Sequence, residues 1–193
     1  MQNHDDQTDE QLAHAAQSGK SGVFDVLANR YRQKLTQYAL RYAGSPEAAS
    51  DVVQDVLIKA HQKIETFDTS RKFSPWIYRI THNEAINYSK KNNKKEVVSL
   101  DTPLSLSDER SAADMELSSL DKWFERELKE QIHDAINDLP DAYAEAIHLR
   151  YIEDLSYKEI SQILDKPVNT VGTLVRRAKK KLLEILITQE KNL

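Results

Sequence analysis

Residues Leu155–Lys180, LSYKEISQILDKPVNTVGTLVRRAKK, decide how this chain is read. Ser156 followed three residues later by Glu159 is a capping box, able to satisfy two orphan backbone donors at a helix start. Ile160, Ile163 and Leu164 then give that helix one apolar face. Pro167 cannot continue it, because proline lacks an N–H and restricts the residue before it. The chain is therefore expected to turn at Asp165 to Pro167. A second helix follows, in which Val168, Val171, Val175, Ala178 and Leu182 recur at helical spacing. Asn169, Gly172, Thr173, Arg176, Arg177 and Lys180 are left on or beside the outer face. Two short helices joined by a tight turn form a helix-turn-helix. Its second helix suits a major groove, with its N-terminal part at base edges and its arginines near phosphates.

Working outward, Leu139–Asp154 reads as a supporting helix, with Ala142, Tyr143, Ala146, Ile147 and Arg150 available to pack on the pair. Further upstream, Thr8 or Asp9 can cap a first helix ending near Ser18, and Gly19-Lys20-Ser21-Gly22 breaks it. Phe24, Leu27, Tyr31, Leu35, Tyr38 and Tyr42 mark a longer helix that Gly44 ends. Ser45 and Pro46 fit the N-cap and first position of the next. There Val53, Val56, Leu57, Ala60 and Ile64 form an inward stripe, opposite Asp51, Gln54, Asp55 and Ile58. Another helix, beginning near Ser74-Pro75-Trp76, turns Ile77, Ile80, Thr81, Ala85 and Tyr88 inward. Its outer side carries Arg79, Asn83, Asn87 and Lys90 in a row of amides and cations. Phe67, Phe73 and Trp76 precede that row, so base stacking beside a basic track is available, although Trp76 is expected mostly in the core.

Composition agrees with an all-α fold of two small helical domains joined by a flexible linker. The chain has 193 residues, 4 of them glycine, and 30% are charged. Boundaries are placed at 8–92, 93–122 and 123–190, because Lys94–Asp114 is polar and lacks a sustained helical stripe. The chain has no cysteine, hence neither disulfides nor thiolate metal sites. No apolar run approaches the roughly 18 residues of a membrane span, and the N-terminus is no signal peptide. A cytoplasmic protein without membrane insertion is expected. The net charge of -4 is unusual for a nucleic-acid binder. Its distribution matters more than its sum, and basic residues gather at Arg71–Lys95 and Arg176–Lys181. His4, His14, His61, His82, His133 and His148 lack metal-ligand spacing, and no hydrolase, zincin or P-loop signature occurs. No catalytic residue, metal or cofactor is therefore assigned. An ordinary repressor or activator would explain the helix-turn-helix, but not the Asp51–Ala60 block.

Two blocks carry a family resemblance. Leu139-Pro140, then LRYIEDLSYKEI from Leu149, then Pro167-Val168-Asn169-Thr170-Val171, resemble the promoter-reading C-terminal domain of extracytoplasmic-function (ECF) bacterial sigma factors. DVVQDVLIKA from Asp51, Phe67-Asp68 and WIYRITHN from Trp76 are similar to the N-terminal sigma domain of that family, in the expected order. The resemblance implies a protein that binds core RNA polymerase and directs promoter-specific initiation. Asp51, Gln54, Asp55 and Ile58 would dock on the clamp of the beta-prime subunit, while the C-terminal domain would meet the flap of the beta subunit. In the same reading the melted -10 strand is captured by Phe67 as a pocket wall, by Asn83 as a base-edge reader, and by Arg79, Asn87 and Lys90. The -35 duplex falls to Asn169, Thr173, Arg176, Arg177 and Lys180. Gly172 and Leu174 stand where a basic residue is usual, which makes Thr173 and Arg176 the leading base contacts. An anti-sigma factor is an expected partner beside promoter DNA. The acids Asp101, Asp108, Glu109, Asp114 and Glu116 would lead the linker through a basic channel of the polymerase.

Overall fold

The computed structural model describes residues 6–92, 132 and 134–190, and all regular structure among them is helical. The chain forms two compact units. The expected linker, with its acids, and residues 123–131 of the second expected domain lie outside the described residues.

The N-terminal unit comprises α1 (Asp9–Gln17), α2 (Val23–Ala43), α3 (Pro46–Lys63), a 3-10 turn (Ile64–Thr66) and α4 (Phe73–Asn92). Of the two candidate caps for α1, Thr8 serves: its hydroxyl accepts from the Gln11 N–H, and the Gln11 side chain accepts from the Thr8 N–H. Gly44 closes α2 at φ 79°, a left-handed conformation that a side chain would strain, and its N–H reaches the Leu40 carbonyl. Ser45 then accepts from the Ala48 N–H, with Pro46 opening α3. These two consecutive signals reverse the chain within two residues and lay α3 against α2. Helix α2 packs on α1, α3 and α4, so Leu27, Leu35, Val53, Val56 and Ile77 are all essentially inaccessible to water. Each such aliphatic side chain contributes about 1.5–3 kcal/mol of burial free energy.

In the C-terminal part of the chain, residues 134–137 are helical and lead to α5 (Asp141–Ile147), a π-helical turn (His148–Ile152), α6 (Tyr157–Leu164) and α7 (Val168–Glu190). The supporting helix expected from Leu139 to Asp154 is thus an uninterrupted helical run over 141–152 that widens to a π-helical turn at its end. The Glu153 N–H reaches back five residues to the His148 carbonyl, and the Leu155 N–H six residues to that of Leu149. The wider turn keeps Leu149 and Leu155 both buried. Ala142, expected to pack inward, is exposed. The inward face of α5 contains Ala144 and Ile147, and two residues of rotation carry Ala142 about 200° around the helix from Ala144.

Ser156 and Glu159 form the expected capping box at α6. The Ser156 N–H donates to the Glu159 carboxylate at 2.7 Å, and the Glu159 N–H donates to the Ser156 hydroxyl at 3.3 Å. Ser156→Ala is expected to destabilise the C-terminal helices by about 1 kcal/mol, measured as a lower urea midpoint with an unchanged slope. Ile160, Ile163 and Leu164 are buried, as are Val171, Val175 and Ala178 of α7. Val168 departs from that stripe, being 43% exposed. It starts α7 directly after the exposed turn residues Asp165, Lys166 and Pro167, where the chain has not yet regained neighbours to cover it. Asp165 makes the turn at φ 50°; an aspartate tolerates this left-handed region better than most side chains.

Candidate nucleic-acid interface

On α3 the helical period separates two surfaces completely. Val52, Val53, Val56, Leu57 and Ala60 are buried, whereas Asp51, Gln54, Asp55 and Ile58 are exposed. Ile58 is 49% exposed, an apolar side chain set among carboxylates. The neighbouring Lys59 pairs with Glu84 of α4, which fixes that edge of α3 against the next helix.

Helix α4 presents Arg79, Asn83, Asn87 and Lys90 to solvent. Its inward side contains Ile77, Tyr78, Thr81, His82 and Ala85, all buried. Ile80 and Tyr88, expected inward, are only half-buried. Tyr78 and His82 were not among the residues expected inward; Tyr78 holds the buried place expected for Tyr88. His82 belongs inside through a hydrogen bond between its Nδ1 and the Tyr38 hydroxyl, 2.9 Å apart. The Tyr38 ring also meets Tyr78 edge-on at 5.3 Å. This buried polar contact joins α2 to α4 and holds the amide and cation row on the opposite side.

The approach to α4 is an aromatic cluster. The rings of Phe67, Phe73 and Trp76 lie 5.3–5.4 Å apart between centroids. Phe67 is only 5% exposed, so its ring lines the floor of this region and does not offer an open stacking face. Trp76 is half-buried, more accessible than its expected core position. Between Phe67 and Phe73 the chain makes a short exposed loop. Asp68 organises it by accepting from the Ser70 hydroxyl at 2.6 Å and the Ser70 N–H at 3.0 Å, with Arg71 beside it at 3.2 Å. The Ser70 hydrogen bonds, followed by the Arg71 charge, hold the Asp68 carboxyl below its ordinary pKa.

The same loop is tied to α1 in a way the sequence did not indicate. The Gln17 side-chain amide donates to the Ile64 and Phe67 carbonyls at 2.8 and 2.7 Å. The Glu10 carboxylate accepts from the Phe73 N–H at 3.0 Å. Contacts across about fifty to sixty residues leave no local pattern that periodicity or motif spacing would reveal.

On α7, Asn169, Arg176, Arg177 and Lys180 are exposed and Thr173 is half-buried. The Thr173 hydroxyl donates to the Asn169 carbonyl at 3.0 Å. This leaves its methyl group and the oxygen's remaining acceptor capacity for a ligand. Gly172 lies against the Tyr157 ring, where an added Cβ would come within ordinary contact at 3.7 Å. Arg150 is fixed by Asp154 at 3.0 Å and by the Leu155 carbonyl at 3.2 Å. Its guanidinium sits over the rings of Tyr151 and Tyr157, and Lys179 faces Tyr151. Aromatic and cationic groups thus continue alongside the exposed face of α7. Among the described residues no helix is long and apolar enough to cross a membrane.

Comparison with known proteins accounts for both units. Residues 27–95 match the family model of Sigma-70 region 2, and residues 129–182 match that of Sigma-70 region 4. The ECF RNA polymerase sigma-E factor of Haemophilus influenzae is 34% identical over 182 residues, covering 90% of this chain and 92% of that protein. The ECF sigma factor SigW of Bacillus subtilis is 35% identical over 169 residues, covering 85% and 89% of the two chains. A solved structure of CnrH in complex with the cytosolic domain of CnrY superposes with a TM-score of 0.63 at 24% identity, covering 93% of this chain and 97% of that one. RpoE of Bartonella quintana, solved with the anti-sigma factor NepR, gives 0.61 at 23% identity over 84% and 96% of the chains. These two solved structures show the same fold. With two sigma family models matched in order and relatives aligned over nearly their whole length, the chain belongs to the ECF family of RNA polymerase sigma factors, non-enzymatic proteins that direct transcription initiation.

Proposed function

We propose that residues 8–92 bind core polymerase and capture the -10 strand, that residues 123–190 read the -35 duplex, and that residues 93–122 join them. The observation that carries this reading is the separation of surfaces in the N-terminal unit. The acidic and apolar outer face of α3 and the amide and cation row of α4 are both displayed, while Ile64, Phe67, Phe73 and Ile77 between them are buried in packing. The first suits the clamp of the beta-prime subunit. The second suits single-stranded DNA, with Asn83 reading a base edge through its amide donor and acceptor. Arg79, Asn87 and Lys90 support the strand, their cations neutralising phosphates in a sequence-independent, salt-sensitive way. Phe67 forms the back wall of the pocket.

In the C-terminal unit, Asn169, Thr173 and Arg176 lie on the part of α7 that would meet base edges, with Arg177 and Lys180 toward phosphates. Docking on the flap of the beta subunit completes the assignment. An anti-sigma factor is a further partner, supported by fold likeness to CnrH and RpoE, whose solved complexes contain CnrY and the anti-sigma factor NepR.

The test is transcription from a randomised promoter library by sigma-free core polymerase, with and without this chain. Initiation that requires the chain and selects two spaced motifs supports the assignment. On a selected promoter, Asn83→Ala is expected to slow opening about tenfold, since one good base contact contributes about 1–3 kcal/mol. Core binding should be unchanged. Equal losses in opening and in core binding would remove the division of labour between α3 and α4.

A further inference from the structure

Helix α1 lies upstream of the segment matched by the Sigma-70 region 2 model, which begins at residue 27. Its apolar side is used for packing, through the fully buried Leu12 and Ala13. Packing does not explain its polar side. Gln17 places both amide hydrogens on the carbonyls of Ile64 and Phe67, at the two ends of the 3-10 turn region. Glu10 accepts from the Phe73 N–H, one of the donors that a helix start leaves without an intrahelical partner. A carboxylate there also meets the favourable end of the α4 dipole. The exposed loop 68–72 is thereby held on both sides by α1, and Asp68 closes it in the middle.

Helix α1 is itself fixed from below. Asp9 accepts from the Tyr31 hydroxyl at 2.6 Å and from Arg30 at 2.9 Å, and Arg30 also donates to the Gln7 carbonyl at 2.8 Å. Tyr31 meets Phe73 edge-on at 5.3 Å. A connected path therefore runs from the centre of α2, through α1, to the first residue of α4. Every bond in it to the 64–73 segment goes to backbone, which determines where the chain lies whatever side chains the loop carries.

We propose that Glu10 and Gln17 are positioning residues for base capture, fixing the 67–73 loop in its strand-receiving geometry before DNA arrives. This rests on the assignment of -10 capture to Phe67 and the α4 face. A pocket ordered in advance spends none of its contacts with the base on ordering itself. The expected consequence is selectivity: a pinned loop distinguishes a base from no base, whereas a loose one retains phosphate contacts from Arg79 and Lys90 but loses discrimination.

Holoenzyme assembled from core polymerase and the full chain tests this, on a promoter selected from the randomised library. An abasic site is introduced at each position of the -10 nontemplate strand in turn, and the affinity ratio of intact to abasic promoter is measured. Gln17→Glu sets a carboxylate against two carbonyl oxygens and is expected to lower the largest ratio about tenfold, the equivalent of about 1.4 kcal/mol. Core binding should stay within about twofold, a change too small to register as a lost contact. Glu10→Ala should lower the ratio in the same direction, and Glu10→Gln, which keeps an acceptor, should restore it. If wild-type holoenzyme shows no abasic discrimination at any position, base capture by this loop fails and the inference with it. If the wild type discriminates and both Gln17→Glu and Glu10→Ala keep its ratio, α1 is a scaffold only and the inference alone is overturned. Should Gln17→Glu not fold, the Glu10→Ala and Glu10→Gln pair decides by the same criterion.

Discussion

Ile58→Lys is expected to weaken binding to core RNA polymerase about hundredfold, a loss of about 2.7 kcal/mol at a site of the hot-spot kind. Ile58 is the apolar member of an otherwise polar and acidic face, and it is 49% exposed. Its removal costs the free protein little, because the stripe that packs α3 lies on the other side of the helix. A lysine there would lose the apolar contact and place a charge in what is to become a desolvated centre. The surrounding Asp51 and Asp55 belong to the rim in this picture, so Asp55→Asn should act chiefly on the association rate and its salt dependence. Competition titrations of core polymerase against a labelled wild-type chain measure both effects. Binding by Ile58→Lys within threefold of wild type would remove this face of α3 as the docking surface.

Leu35→Ala should destabilise the N-terminal unit by about 3 kcal/mol, within the 2–5 kcal/mol range for a buried leucine. Leu35 is 0% exposed and lies on α2, the helix that packs against all three others of its unit. Truncation leaves a void where neighbouring helices are each already held by other contacts, so collapse around it is restricted. Since a domain's whole stability is about 5–15 kcal/mol, this one change consumes much of the margin. Urea unfolding followed by circular dichroism measures it. Leu183→Ala provides the contrast: Leu183 is 58% exposed, and its truncation should change stability by less than about 0.5 kcal/mol. Similar losses for the two variants would contradict the packing described for α2.

Some helix starts were legible because they are written locally. Ser45 with Pro46 and Ser156 with Glu159 are spacings of three residues or fewer, and both act in the structure as caps, whereas the choice between Thr8 and Asp9 is made by the Gln11 contacts. The inward stripes of α3 and α7 were legible for a related reason, since 3.6-residue periodicity survives wherever one side of a helix is buried. What escaped depended on partners distant in sequence. His82 is polar in type, and its hydrogen bond to Tyr38 fits it to the interior, while Tyr78 rather than Tyr88 packs on Tyr38. Phe67 was placed at the correct end of α4, yet its depth is set by Phe73 and Trp76 together. The widening at the end of the 139–154 run required the carbonyls of His148 and Leu149 to find donors five and six residues on, which side-chain periodicity does not encode. Glu10 and Gln17 were invisible because their partners are backbone atoms, and backbone is the same at every position.

The length of α7 makes it a lever. Its 23 residues extend about 34 Å at 1.5 Å per residue. Of the residues assigned to DNA, Asn169, Thr173, Arg176 and Arg177 precede Ala178, while Leu182 and Ile185 pack on the unit's core beyond it. Val171, Val175 and Ala178, all buried, seat the helix between its two ends. A helix this regular transmits tilt better than it absorbs it. Reshaping the seats of Val171, Val175 or Ile185 would therefore change the tilt at which Thr173 is presented. Promoter choice could then be retuned by substitutions that never touch a base, and a search confined to the groove-facing side chains would overlook them.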